Sequence, residues 1–335
     1  MSITTSHAMT TSEPPTGDGR DPQLAIEAIG LRKAYGDVVA VENLTLSVRQ
    51  GEVFGFLGPN GAGKSTTVKM LTGLIRPSSG EARLLGRRLG DREAKRQTGY
   101  LPEMFRFHDW LTANEFLDVH GRLAGMPAAE RKARIPEALD LVGLSGRGDH
   151  RLRTFSKGMQ QRAGLAQALI HRPRLIFLDE PTSALDPIGR RIVRDVIRDL
   201  RDQGTTVFLN SHLLSEVEMV SDRVAILNRG VVVAAGRLDE LRQQGISVEM
   251  KVGGWNDRFQ AIVGDLGTVE RLEPQDSSVV SLSVLLASEE LIARLVSMLA
   301  EAGGQIYEVT PRRETLEDLF VNLVDQTDGM DVGTR

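Results

Sequence analysis

The sequence predicts an α/β protein built on a parallel sheet, followed by a smaller α+β region. Three observations carry that expectation. Short apolar runs alternate with helix-patterned segments through residues 24–245. One of those runs, "EVFGFLG" (52–58), leads into the glycine-rich stretch "GPNGAGKST" (58–66) and then into a helical pattern. From Ile246 onward the order changes to strand-like runs around one strongly amphipathic helix.

Taken in order, residues 1–23 are rich in Ser, Thr, Pro and Gly and lack the apolar core of a secretory signal. They read as a tail without fixed structure, and folded structure is expected from Leu24. Leu44, Leu46 and Val48 alternate with Thr45 and Ser47, a half-buried strand, and Gln50-Gly51 suits a turn. Residues 52–58 form a second strand. Residues 64–75 have helical spacing at Val68, Leu71, Leu74 and Ile75. Residues 105–150 read as helical, with Thr112 and Glu115 at capping-box spacing.

"RLIFLDEP" (174–181) is a short apolar run ending in acids, the pattern of a strand covered on both faces. A helix (188–201), a strand (205–210) and two strands around Asn228-Arg229-Gly230 follow. In the last region, 246–252, 278–286 and 305–310 read as strands. Ser288 is the expected cap of a helix, and Leu316, Leu319, Phe320 and Leu323 share one face of a final helix over 314–326. The expected division is a tail (1–23), a domain over 24–245 with a helical subdomain at about 105–165, and an accessory α+β domain over 246–335.

Composition excludes several classes. The 335 residues are 41% hydrophobic and 26% charged with net charge −4, so no global basic field points to nucleic acid. There are no cysteines, which removes disulfides and thiolate metal sites. The longest apolar run, 279–287, is far short of the ~20 residues needed to cross a bilayer.

The chemistry begins at residues 58–66, which fit G-x-x-x-x-G-K-[ST] between a strand and a helix. Glycines let backbone amides turn inward and cradle phosphate oxygens, and the following helix aims its positive end at the same anion. Gly58, Pro59, Asn60, Gly61, Ala62, Gly63, Lys64, Ser65 and Thr66 are therefore the candidate ATP-binding loop. Lys64 is placed for the β- and γ-phosphates and Ser65 for Mg²⁺. A plain glycine-rich turn would not need those flanks. Asp179 is the candidate second metal ligand, and Glu180 the candidate base for the attacking water. His212 follows the next strand, whose end is expected along the same sheet edge. "FSKGMQQR" (155–162) poses a separate puzzle. Ser156 suits a helix N-cap, yet Gly158 then costs about 1 kcal/mol against alanine.

In the order "GPNGAGKST", "FSKGMQQR", "LIFLDEPTSALD" and "NSH", the chain resembles the ATP-binding cassette family over residues 24–245. The resemblance implies an ATPase with ATP and Mg²⁺ as cofactors, working as a head-to-tail homodimer. The signature Ser156, Lys157, Gly158, Met159 and Gln160 would then face the nucleotide held by the opposite subunit, and a side chain at 158 would hold its γ-phosphate away. By position, Tyr35 matches the aromatic residue that stacks on adenine, Asp186 the loop linking the two sites, and His212 the switch histidine.

Lys157 and Met159 replace the commoner Gly and Gln. Glu103 stands where much of the family carries a metal-approaching Gln, so Glu103 joins Ser65 and Asp179 as a candidate metal ligand. These variants and the C-terminal "ETLEDLFVNLV" are similar to the ATPase subunits of ABC-2-type exporters, the daunorubicin-resistance-like group. That implies a separate membrane permease, no nucleic acid, and a cytoplasmic protein held at the inner face of the membrane. Phe105, Phe107, Trp110 and Leu111 are either its docking cluster or part of the helical-subdomain core. The rival readings are a soluble family member acting on DNA or the ribosome, and a regulator that binds ATP without hydrolysing it.

Overall fold

The computed structural model describes residues 23–104, 108–241, 245–274, 279–312, 315–321 and 323. All of the expected tail except Gln23 lies outside them, as do Phe105, Phe107 and residues 324–335. In chain order the elements are β1 (Leu24–Tyr35), β2 (Val38–Arg49), β3 (Val53–Leu57), α1 (Lys64–Leu71), β4 (Ser79–Leu84), β5 (Arg87–Arg88), α2 (Arg92–Arg96) and β6 (Thr98–Leu101). Then come α3 (Ala113–Leu123), α4 (Ala128–Leu141), α5 (Lys157–Leu169), β7 (Leu175–Asp179), α6 (Pro187–Asp202), β8 (Thr206–Asn210), α7 (Leu214–Glu218), β9 (Arg223–Asn228), β10 (Val231–Arg237) and α8 (Leu238–Leu241). The last region holds β11 (Ile246–Gly253), α9 (Asp257–Leu266), β12 (Gly267–Pro274), β13 (Val279–Leu286), α10 (Glu290–Glu301) and β14 (Gln305–Arg312).

The central sheet has the order β10-β9-β3-β8-β7-β6. All of its pairs are parallel except β10 on β9. Every residue of β3, β7 and β8 is buried, which is why these strands read as unbroken apolar runs rather than alternating ones. Phe56 and Phe177 pack against Phe208 with ring centroids 5.2 and 5.3 Å apart. The order decides the site. Because β7 and β8 are neighbours and β3 lies on the other side of β8, the chain segments after all three open along one edge.

A second sheet, β2-β1-β4-β5, is wholly antiparallel, where the sequence pattern predicted only a parallel one. Leu44, Leu46 and Val48 alternate inward as expected. β1 hides its period because its pairing with β2 shifts register four times along its length, so alternation is lost. The helix expected over 64–75 ends at Leu71, and Leu74 is exposed rather than core.

In the helical region, Thr112 accepts from the Glu115 amide and Glu115 accepts from that of Thr112, the full capping box. Leu117, Ala138, Leu152 and Leu165 share a core with the sheet residues Leu178 and Val207.

The third sheet, β12-β13-β11-β14, is antiparallel. Val248, Met250 and Val252 face Phe259 and Val263 of α9 and Leu295 and Leu299 of α10. Neither α9 nor β12 was legible in the sequence. α9 is only ten residues long, starting from the Asn256 cap, and β12 is an exposed strand with little apolar pattern. The expected cap also moves: Glu289, not Ser288, precedes α10, and it makes no side-chain cap bond. Residues 316–321 are helical. Leu316 and Leu319 are buried in the same cluster as Val217 and Val220, not with the third sheet. The Leu316 amide donates to Glu218 Oε2 at 3.3 Å, which ties this segment to α7. Among the described residues no helix is long and apolar enough to cross a membrane.

Candidate nucleotide site

A cavity at the sheet edge is lined by Ala40, Asn60, Gly61, Gly63, Lys64, Ser65, Thr66, Glu103, Glu180, Asn210 and His212. Its floor is the loop from β3 to α1. No side chain caps α1: its N-cap is Gly63, at φ 103°. A Cβ there would lie 2.3 Å from the Ala40 carbonyl oxygen, so both conformation and space require glycine. A helix end without a side-chain cap leaves first-turn amides for an anion. Lys64 is buried and donates to the carbonyls of Gly58 at 2.8 Å and Pro59 at 3.1 Å. Burial pushes its ammonium pKa down, while Glu180, Asp179 and Glu103 push it up. One cation thus faces three carboxylates, a charge set suited to a phosphate that brings its own divalent cation.

Asp179 ends β7 and is almost fully buried. Burial raises its pKa; the Asn210 amide, donating to Oδ1, opposes this, and the Glu103 and Glu180 carboxylates raise it further. The Glu103 backbone also hydrogen-bonds to Asp179. Next along the chain, Glu180 is 6% exposed and has φ 52°. A non-glycine residue held in this region costs on the order of 1–3 kcal/mol and persists only where surroundings over-determine it. They do so here. The Glu180 amide donates to the Asn210 carbonyl at 2.8 Å. The Gln161 side chain donates to the Glu180 carbonyl at 3.4 Å. His212 Nδ1 lies 2.7 Å from Glu180 Oε2, and Ser211 Oγ lies 3.5 Å from the same oxygen. The strained turn points the Glu180 carboxylate back across the sheet edge toward the segment after β8.

Among the described residues no cluster of three or more His, Asp or Glu forms a self-contained metal cage. Ser65 and Asp179 with phosphate oxygens and water instead suit Mg²⁺, which usually takes one or two carboxylates plus substrate phosphates.

The other expected residues fall outside the cavity lining. Ser156 caps α5 by accepting from the Met159 amide at 3.2 Å. Lys157 is exposed, Met159 packs at the edge of the core, and Gln160 donates to the Leu152 carbonyl at 3.2 Å. At Gly158 a Cβ would meet only the Leu185 Cδ2 methyl at 3.2 Å and the Ala184 oxygen at 3.6 Å. The chain's own packing does not demand glycine there. Asp186 caps α6, accepting from Gly189 at 2.8 Å. Tyr35 ends β1, half exposed, with Lys33 Nζ 5.0 Å from its ring centre. Trp110 is 63% exposed beside the His108 ring, whereas Leu111 packs against the core.

Two lining residues were missed in the sequence, Ala40 and Asn210. Ala40 enters through the antiparallel sheet that its own pattern concealed. Asn210 stands in the quoted "NSH" stretch, but only the pairing of Asp179 with Asn210 in the sheet brings it to the acids.

Comparison with known proteins gives the family. An ABC transporter family profile matches residues 41–183. An ABC transporter ATP-binding protein of Nostoc sp. strain PCC 7120 is 44% identical over 311 residues, spanning 89% of each chain. The linearmycin resistance ATP-binding protein LnrL of Bacillus subtilis is 34% identical over 310 residues, 90% of this chain and 99% of the relative. The daunorubicin/doxorubicin resistance ATP-binding protein DrrA of Streptomyces peucetius is 35% identical over 310 residues, 90% and 93% of the two. A solved ATP-binding subunit of an ABC transporter, 33% identical, superposes with TM-score 0.62 over 66% of this chain and 92% of its own. The dimeric post-hydrolysis state of the cassette MJ0796 with ADP and Pi, 27% identical, superposes at 0.59 over 64% and 98%. The strand–loop–helix, the paired acids after β7 and the histidine after β8 thus occur on a fold and in a sequence shared along most of the chain, and the chain belongs to the ATP-binding ATPase subunits of the ABC transporters.

Proposed function

We propose that this chain is the ATPase subunit of an ABC exporter, closing as a head-to-tail homodimer on two ATP molecules and driving a separate membrane permease. The observation that carries the ATPase part is the meeting of Lys64 and the Glu180–His212 pair in one cavity, with Asp179 buried directly behind its Asn210. Lys64 and the first-turn amides of α1 hold the phosphates. Ser65 and Asp179 would hold Mg²⁺, with Glu103 as a third candidate ligand; when bound, the ion would neutralise phosphate charge. Glu180 takes the proton of the attacking water, and His212, in contact with its carboxylate, sets that carboxylate's position and senses the γ-phosphate. Tyr35 supports the adenine from the rim, and Asp186 carries the state of one site toward the other.

The signature supports the dimer reading. Glycine at 158 is not required by the chain's own packing, so its use is accounted for by a ligand approaching from outside, the nucleotide of the opposite subunit. Gly158→Val is expected to leave ATP binding to the monomer within about twofold and to lower hydrolysis at least about tenfold, the effect of displacing a phosphate from its amide donors. Loss of monomer binding in an equilibrium titration would remove the trans role.

Export is supported by the resistance ATPases among the relatives. The exposed Trp110 offers the permease an apolar contact, while Leu111 belongs to the core. The subunit then works at the inner face of the cell membrane without binding nucleic acid. Affinity purification from native membranes in mild detergent, with mass spectrometry, tests this. A multi-span protein at near-equal stoichiometry is the expected companion. Ribosomes or DNA in its place would favour the soluble class.

A further inference from the structure

Within the cavity lining, the buried polar side chain without a task so far is Asn210. It ends β8, is 1% exposed, and lines the nucleotide cavity. Its Nδ2 donates to Asp179 Oδ1 in a short hydrogen bond. Its Oδ1 is buried with no hydrogen-bond partner among the described residues. The amide cannot be turned over, because that would bring Oδ1 against the carboxylate oxygen. Asn210 therefore spends its one side-chain bond on a single task, holding one oxygen of Asp179. Its backbone does a second: the carbonyl accepts from the Glu180 amide at 2.8 Å, at the residue whose φ is 52°. Two positions further on, His212 meets the Glu180 carboxylate.

Both acids of the site are thus anchored to one residue of β8, and that residue leads directly into the segment carrying His212. An apolar residue of similar size would fill the same space. It would leave Asp179 Oδ1 without the amide bond and the carboxylate held by the Glu103 backbone alone, and a buried carboxylate that loses a donor is unfavourable. The asparagine stands there with an unsatisfied Oδ1, which packing alone does not explain.

We propose that Asn210 is a positioning residue: its amide fixes the Asp179 carboxylate in the orientation that receives the nucleotide-bound divalent cation. The proposal rests on the Mg²⁺ reading above, and its test separates the two. The probes are Mn²⁺, followed by electron paramagnetic resonance, and a fluorescent ATP analogue, titrated against the full-length protein with and without divalent cation. The variants are Asn210→Leu, which removes the donor, and Asn210→Ser, which keeps one. Asn210→Leu is expected to bind the analogue in EDTA like the wild type, showing that the fold and phosphate loop survive. Its Mn²⁺ affinity in the presence of analogue is expected to fall at least tenfold, with the Mg²⁺ concentration for half-maximal hydrolysis rising in parallel. Asn210→Ser is expected to recover part of both. Should Asn210→Leu fail to fold, Asn210→Ser against Asn210→Ala carries the same comparison of donor with none. Wild-type Mn²⁺ affinity in a folded variant lacking the donor would overturn the role of Asn210 while leaving the metal site standing. Absence of any divalent-cation dependence in the wild type would overturn the metal reading itself, and the proposal with it.

Discussion

Glu180→Gln is expected to lower steady-state ATP turnover by about 10²-fold or more, the range that a positioned base contributes, and to trap an ATP-bound dimer. The substitution is nearly isosteric. It keeps the left-handed backbone at φ 52°, the amide bond to Asn210 and the contact with Gln161, since all of these run through the main chain. What it removes is the carboxylate that stands 2.7 Å from His212 Nδ1. Nucleotide binding should therefore survive while hydrolysis stops, and light scattering with ATP should show twice the monomer mass. Turnover equal to the wild type would remove Glu180 from the chemistry and leave its strained backbone without a functional explanation. His212→Ala then becomes the informative companion, because it leaves the carboxylate present but without its 2.7 Å partner.

Lys64→Ala is expected to weaken MgATP binding by roughly 10- to 100-fold, the equivalent of about 1.5–3 kcal/mol for hydrogen bonds to a charged group. The loss has two sources. The phosphates lose a cation that the structure keeps buried at the loop, and the cavity keeps three carboxylates with nothing to balance them. The second effect opposes any anion, so ADP binding should weaken as well. Fluorescence titration with each nucleotide checks this, and wild-type affinity in the variant would refute the phosphate-loop role. The loop should keep its shape, because Gly63 is required there by its φ of 103° and by the Ala40 carbonyl, not by the lysine.

The parts of the site that were legible in the sequence are those in which one contiguous segment carries both the chemistry and the structural cue. The loop at 58–66 is such a segment, with glycines, lysine and hydroxyl between a strand and a helix. "LIFLDE" is another, where a fully covered strand delivers its acids at the sheet edge. Ser156 and Thr112 were readable as caps because capping acts within three residues. What escaped depends on pairing between distant segments. β1 lost its alternation to register shifts, so the sheet that brings Ala40 to the cavity was invisible. Tyr35, set by position alone, is not among the residues that line that cavity.

At the C-terminal end, the one-sided pattern of Leu316, Leu319, Phe320 and Leu323 was plain, but a pattern states only that a face is buried. The structure buries it against α7 and the central core instead of the third sheet. Likewise, α9 and β12 are too short or too exposed to leave a periodic trace.

By itself, then, the sequence determined the chemistry of this protein: a phosphate loop, two acids in series and a histidine after the next strand, each specified by local geometry that neighbouring residues enforce. Tertiary structure alone decided how those groups are aimed. The order β3-β8-β7 puts Asn210 beside Asp179 and His212 against Glu180, and it holds Glu180 in a backbone conformation it would not adopt unaided. Hydrogen bonds between strands 31 residues apart in the chain do that work. Their partners follow from the sheet's strand order, which no local pattern encodes.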